Sequence, residues 1–143
     1  MLKKKIQTSM GRDLYAASRW VRQLLDVKLK ESTPFTADQA ILMMVLQCDG
    51  TAVLPTLARD AGILLSTDIS SLLQPLIDKK FIRNADGLLS MTETGSAALA
   101  QVWTIHESVE RMVLEGVQKT DLEAFHRLIQ QIFANCEKVV PFE

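Results

Sequence analysis

One stretch constrains the fold more than any other: residues 81–95, FIRNADGLLSMTETG. Phe81-Ile82-Arg83 and Leu88-Leu89-Ser90-Met91 read as short strands. Asp86-Gly87 between them suits a tight hairpin, since Gly tolerates the positive φ that such a turn demands. Thr92 then offers a hydroxyl to cap a helix, and Glu93 stands where the positive end of the helix dipole favours an acid. A chain that fits these signals carries one small hairpin wedged between two helices.

Periodicity predicts helices nearly everywhere else. Leu14, Ala17, Val21, Leu24 and Leu25 recur at helical spacing, with Arg12, Arg19 and Arg22 off that stripe. After the break at KESTP, Thr36 and Gln39 form a capping box, and ADQAILMMVLQC is so apolar that its helix should be buried. TAVL is a brief β-prone stretch, and Pro55 fits the first turn of a short helix that Gly62 ends. Ser66 is expected to cap a longer helix with Ile69, Leu72, Leu73 and Leu76 on one face. Pro75 predicts a bend or an early end in it, and Lys79-Lys80 close it. From Glu93 a continuous face runs through Leu99, Val102, Trp103, His106, Val109 and Val113, with a stop at Gly116. Thr120 and Glu123 read as a second capping box before a last amphipathic helix carrying Leu122, Phe125, Ile129, Ile132, Phe133 and Cys136. Long terminal helices with apolar stripes want a partner, and a second copy of the chain is the simplest one.

Composition excludes several classes. At 143 residues, with 48% apolar residues, the chain can build one real core and is too apolar for disorder. Charged residues interrupt every apolar run before it reaches the roughly 20 residues of a membrane span. The basic start, MLKKKIQTSMGR, lacks a following apolar segment, so no secretory leader is expected and a cytoplasmic location is the default. The net charge of −1 hides a polarity. Residues 1–31 hold eight Lys or Arg against three acids, while residues 96–143 hold four against seven.

Two short helices joined by a turn and followed directly by a hairpin are a winged helix-turn-helix arrangement, in which the second helix enters the major groove of DNA. The fold class expected is mainly α with a small β-hairpin wing and a helical dimerisation region. The chain resembles the MarR family of bacterial transcriptional regulators. FTADQAILMMVL looks like the family's LT-x-x-Q helix opening, LPTLARDAGI like its first helix-turn-helix element, and STDISSLLQPLIDKKFIR like its recognition helix. LLSMTETGSAAL is similar to the returning strand with its LT-x-x-G signature, and VQKTDLEAFHRLIQQI to the closing helix. The resemblance implies a homodimer. Residues 1–35 and 93–143 would form the helical dimerisation region and residues 36–92 the winged helix-turn-helix domain, one intertwined fold. It implies binding to a pseudo-palindromic operator in double-stranded DNA, usually as a repressor, with release by a small aromatic effector in many members.

On that resemblance the DNA-binding candidates are Ser66, Thr67, Asp68, Ser70, Ser71, Gln74, Arg83 and Asn84. Gln can bond adenine bidentately, Asp can accept from a cytosine amine, and Ser or Thr can reach phosphate or several bases. Ser66 also reads as a cap and Asp68 as a first-turn acid favoured by the helix dipole. Two departures stand out. The tight turn leaves no room for the longer basic wing of the family, and residues 55–95 hold four basic against five acidic residues. Phosphate contact normally supplies much of the affinity for DNA, so Lys3, Lys4, Lys5 and Arg12 are candidates to make up the deficit. The same departures motivate an alternative, a winged helix that has lost DNA binding and acts as a protein-interaction module.

Other candidate sites are thinner. Trp20, Trp103 and His106 could line an effector pocket. His106 and Glu110 sit one turn apart, a spacing that can chelate a metal, yet two histidines without a Cys or Asp cluster favour an interface histidine. Cys48 and Cys136 form no C-x-x-C and are expected to pack as small apolar residues. No nucleophile–base order, phosphate loop or carboxylate pair supports catalysis, and no cofactor is implied.

Overall fold

The computed structural model describes residues 9–63 and 68–140. Among them are six helices and one three-stranded antiparallel sheet: α1 (Met10–Lys30), α2 (Ala37–Asp49), β1 (Thr51–Ala52), α3 (Leu54–Asp60), α4 (Ile69–Asp78), β2 (Ile82–Ala85), β3 (Leu88–Met91), α5 (Glu93–Val113) and α6 (Lys119–Glu137). The chain divides into two compact units, Met1–Glu110 and Arg111–Glu143.

In the first unit the core is wholly apolar among the described residues. Leu29, Leu42, Met43, Leu46, Leu57, Leu76, Ile82, Leu89, Leu99 and Val102 are its largest fully enclosed side chains. α2 is the central helix, as its composition predicts, burying Ala37, Ala40, Leu42, Met43, Met44 and Leu46. Its capping box is present: Thr36 Oγ1 accepts from Gln39 N–H, and Gln39 Oε1 accepts from Thr36 N–H, both at 3.1 Å. Pro55 sits in the first turn of α3, where a missing N–H costs nothing.

The hairpin forms as the sequence predicts. Asp86 (φ 52°) and Gly87 (φ 90°) both take positive φ, the requirement of a type I′ turn, and the ladder pairs Ile82 with Met91 and Ala85 with Leu88. TAVL supplies a third strand: Thr51 pairs with Ser90 and Ala52 with Leu89, so the sheet order is β1-β3-β2. Thr92 caps α5 by accepting from Gly95 N–H at 2.9 Å. A Cβ on Gly95 would lie 2.0 Å from the carbonyl oxygen of Phe81, so only glycine lets the first turn of α5 approach the start of the wing this closely.

Several expectations need correction. α4 begins at Ile69, not near Ser66, and its cap is Asp68, whose carboxylate accepts from Ser71 N–H. Ser66 lies outside the described residues. Of the two outcomes expected from Pro75, a bend or an early end, the early end does not occur, since α4 continues to Asp78. Thr120 and Glu123 make no capping box, because α6 starts earlier, at Lys119 after Gln118, with no side-chain cap. Cys48 and Cys136 are exposed rather than packed.

In the second unit α6 buries none of its residues. Phe125, Leu128 and Phe133 on it are 48%, 63% and 54% exposed.

Candidate nucleic-acid interface

α4 divides cleanly into two faces. Ile69, Leu73 and Leu76 turn into the core, while Ser70, Ser71, Gln74 and Asp78 are exposed. The predicted reading residues of this helix therefore share an outer surface, although two of them are already engaged. Ser71 Oγ donates to the Asp68 carbonyl at 2.7 Å, and Gln74 Nε2 donates to Asp78 Oδ1 at 2.7 Å. Gln74 keeps its carbonyl oxygen and one N–H for a base edge. Asp68 caps the helix through Oδ1, which leaves its Oδ2 as an acceptor. Ser66, Thr67 and the Lys3–Lys5 run lie outside the described residues.

Arg83 is exposed on β2, opposite Ser90 and on the sheet face away from the buried Ile82 and Leu89. Asn84 is also exposed, but its Oδ1 accepts from Gly87 N–H at 2.8 Å and fastens the turn. Lys79 and Lys80, which the sequence pattern marks only as helix enders, are exposed next to these groups. Among the described residues Arg83, Lys79 and Lys80 form no ion pair.

The three effector-pocket candidates fall in different settings. Trp20 is 73% exposed and lines a shallow hollow with Tyr15, Ala16, Arg19 and Gln23. That hollow contains neither Trp103 nor His106. Trp103 donates from Nε1 to Gln47 Oε1 at 2.9 Å and stacks on His106 with ring centroids 5.9 Å apart. His106 Nε2 is enclosed without a hydrogen-bond partner, and Glu110 Oε1 lies 3.9 Å away. Among the described residues no three His, Cys, Asp or Glu side chains gather around a possible metal position.

A larger hollow of about 560 Å³ has no counterpart in the sequence pattern; Leu14, Tyr15, Arg19, Arg22, Asp38 and Ile63 are among the residues lining it. Arg22 pairs with Asp38 of α2, and its Nη2 donates to the carbonyls of Ala61 and Gly62 at 3.4 Å each. One arginine of α1 thus joins the start of α2 to the turn that follows α3. The off-stripe position of Arg22 is visible in the sequence, but its partners are not.

No protein-family model matches the chain, and no curated protein sequence does. Solved structures do. BpsR of Bordetella bronchiseptica, a DNA-binding protein, matches with a TM-score of 0.77 at 17% identity, over 89% of this chain and 95% of its own. A probable transcriptional regulator from Pseudomonas aeruginosa gives 0.74 at 19%, over 89% and 98%. MarR of E. coli in its reduced form gives 0.70 at 16%, over 87% and 92%.

The architecture is therefore that of a winged helix-turn-helix protein. More narrowly, it is the winged-helix fold of the MarR-family regulators, as the sequence resemblance implied. No helix among the described residues is long and apolar enough to cross a membrane.

Proposed function

We propose that this chain is a homodimeric, sequence-specific DNA-binding regulator that represses transcription from the cytoplasm and is released from DNA by a small molecule. The observation that carries the reading is α4, whose outer face offers Ser70, Ser71 and Gln74 beside a two-residue hairpin while its apolar face is locked into the core. A reading helix must be rigid from behind and polar in front, and α4 is both. The exposed Phe125, Leu128 and Phe133 of α6 support association of two copies through the terminal helices. DNA-affinity sequencing with the purified protein tests the proposal. An enriched pseudo-palindrome is the expected result, and a flat profile at low salt without ligand would defeat it.

The effector inferred is an aromatic carboxylic acid, held at the hollow of Tyr15, Arg19 and Arg22. DNA binding by the Bordetella bronchiseptica relative is regulated by 6-hydroxynicotinic acid, and a MarR-family protein of Mycobacterium tuberculosis has been crystallised with p-aminosalicylic acid. Arg19 makes no ion pair among the described residues and is a ready partner for a carboxylate. An acid bound there would compete with Asp38 for Arg22 and loosen its hold on Ala61 and Gly62. Calorimetry with a panel of aromatic acids tests this step. Heats that vanish in Arg19→Ala are expected, and flat titrations throughout would remove it.

A second reading, a winged helix turned protein-interaction module, is favoured by Leu88, 45% exposed at the hairpin tip where a cation would serve DNA better. It requires that the sequencing experiment fail.

A further inference from the structure

We infer that Lys80, with Lys79 beside it, is a phosphate-contacting residue that carries backbone binding in place of a long basic wing; this rests on the DNA-binding function proposed above. The argument starts from backbone conformation. Lys80 has φ 62°, the left-handed region, two residues past the last residue of α4 and one past its C-cap, Lys79. Its N–H donates to Ile77 O and the next N–H, of Phe81, to Leu76 O, both at 2.9 Å. That pair of bonds is a Schellman ending, where glycine is by far the favoured residue because a Cβ is penalised there.

A lysine on this backbone persists only because its surroundings over-determine it. The Thr92 hydroxyl donates to the Lys80 carbonyl at 2.5 Å, and Thr92 N–H donates to the Phe81 carbonyl at 3.1 Å. Gly95 closes the same spot from behind. The strain is thus held in place, and the side chain it presents is exposed and without an ion pair among the described residues.

The dipole of α4 would favour a cation near its end, which accounts for Lys79 on its ordinary backbone. It does not account for a lysine where glycine is preferred. A function outside the protomer does. Lys79, Lys80 and Arg83 fall within five residues of chain, spanning the end of the reading helix and the first strand of the wing. The hairpin tip offers Asp86 and Gly87 in place of cations. Three uncommitted cations at the base of the wing are where a groove-bound α4 would bring the flanking phosphates, and phosphate oxygens are the chemistry they recognise.

The test uses the full-length chain and a short fluorescent duplex of mixed sequence, titrated over a range of salt concentrations. Binding by the wild type should weaken linearly in log–log form. Lys80→Gly and Lys79→Gln should each flatten that line by about 0.9 for every phosphate left unneutralised, while Lys80→Arg keeps it. Lys80→Gly should also raise the thermal midpoint, since it removes the strain. A more stable protein that binds DNA with a flatter salt dependence is a signature that a merely structural lysine cannot give. An unchanged slope in both neutral variants, with wild-type binding intact, overturns the inference alone. A Lys80→Gly protein that is no more stable overturns the strain argument on which it stands. Absence of any wild-type binding at low salt removes the DNA-binding function and this inference together.

Discussion

The two compact units handle hydrophobicity in opposite ways. In residues 9–110 the largest apolar side chains interlock around α2, with Leu42, Met43 and Leu46 fully enclosed. In residues 111–140 the apolar stripe of α6 is just as regular, yet Phe125, Leu128 and Phe133 remain about half or more exposed and nothing on the helix is buried. Periodicity alone does not distinguish these cases, because a helix facing its own core and one facing a second molecule carry the same pattern. What separates them is a neighbour. The first unit supplies its own; under the proposed association the neighbour of α6 is a second copy, so the two stripes should then answer differently to the same substitution.

Truncation of one leucine in each unit is the strongest way to break that comparison. Leu42→Ala should cost about 4 kcal/mol, from lost burial and the cavity it leaves, whatever the protein concentration. Leu128→Ala should leave the dilute protein nearly as stable as the wild type and shift the urea midpoint only at concentrations where copies associate. Equal and concentration-independent losses in the two variants would mean that α6 is not an association surface.

Gly95→Ala sharpens the comparison inside the first unit. The added methyl would meet the Phe81 carbonyl at 2.0 Å, and this is backbone that cannot swing aside. A loss of about 3 kcal/mol in chemical denaturation is expected. The wing should suffer most, because Phe81 leads into β2 and its carbonyl also accepts from Thr92 N–H. An alanine variant as stable as the parent would show that α5 and the wing approach each other less closely than this geometry requires.

The elements legible in the sequence are those set by residues near one another in the chain. The Asp86-Gly87 turn, the Thr36–Gln39 box and the Thr92 cap each depend on a span of four residues or fewer, and all three form. Sequence and structure part where several residues could serve. Ser66, Thr67 and Asp68 are all able caps, and Asp68 does the capping. Long-range pairings are invisible in the sequence: β1 meets β3 across α3 and α4, and Arg22 reaches Ala61 across 39 residues. The candidate site follows the same division. The outward face of α4 is readable from Ile69, Leu73 and Leu76 facing the other way, whereas the Asp78 partner of Gln74 and the Arg22 hollow need the fold. Lys80 escapes notice because a lysine after a helix is ordinary in a sequence and unusual only once its φ is known.

The smallest effect expected is also the most discriminating about how sequence patterns become structure. Thr36-x-x-Gln39 and Thr120-x-x-Glu123 have the same form, but only the first has its reciprocal hydrogen bonds. Thr36→Ala should therefore destabilise by about 1 kcal/mol, since it strands the Gln39 N–H at the entrance to the central helix. Thr120 stands inside the first turn of α6, where a β-branched residue is a poorer helix former than alanine. Thr120→Ala should raise stability by a few tenths of a kcal/mol, roughly the propensity difference. Opposite signs in one thermal-melt series would place the two threonines in different structural roles. A loss at Thr120 matching that at Thr36 would instead mean that the associated protein begins α6 two residues later, with Thr120 as a true cap, and that pairing of two copies reshapes the helix start.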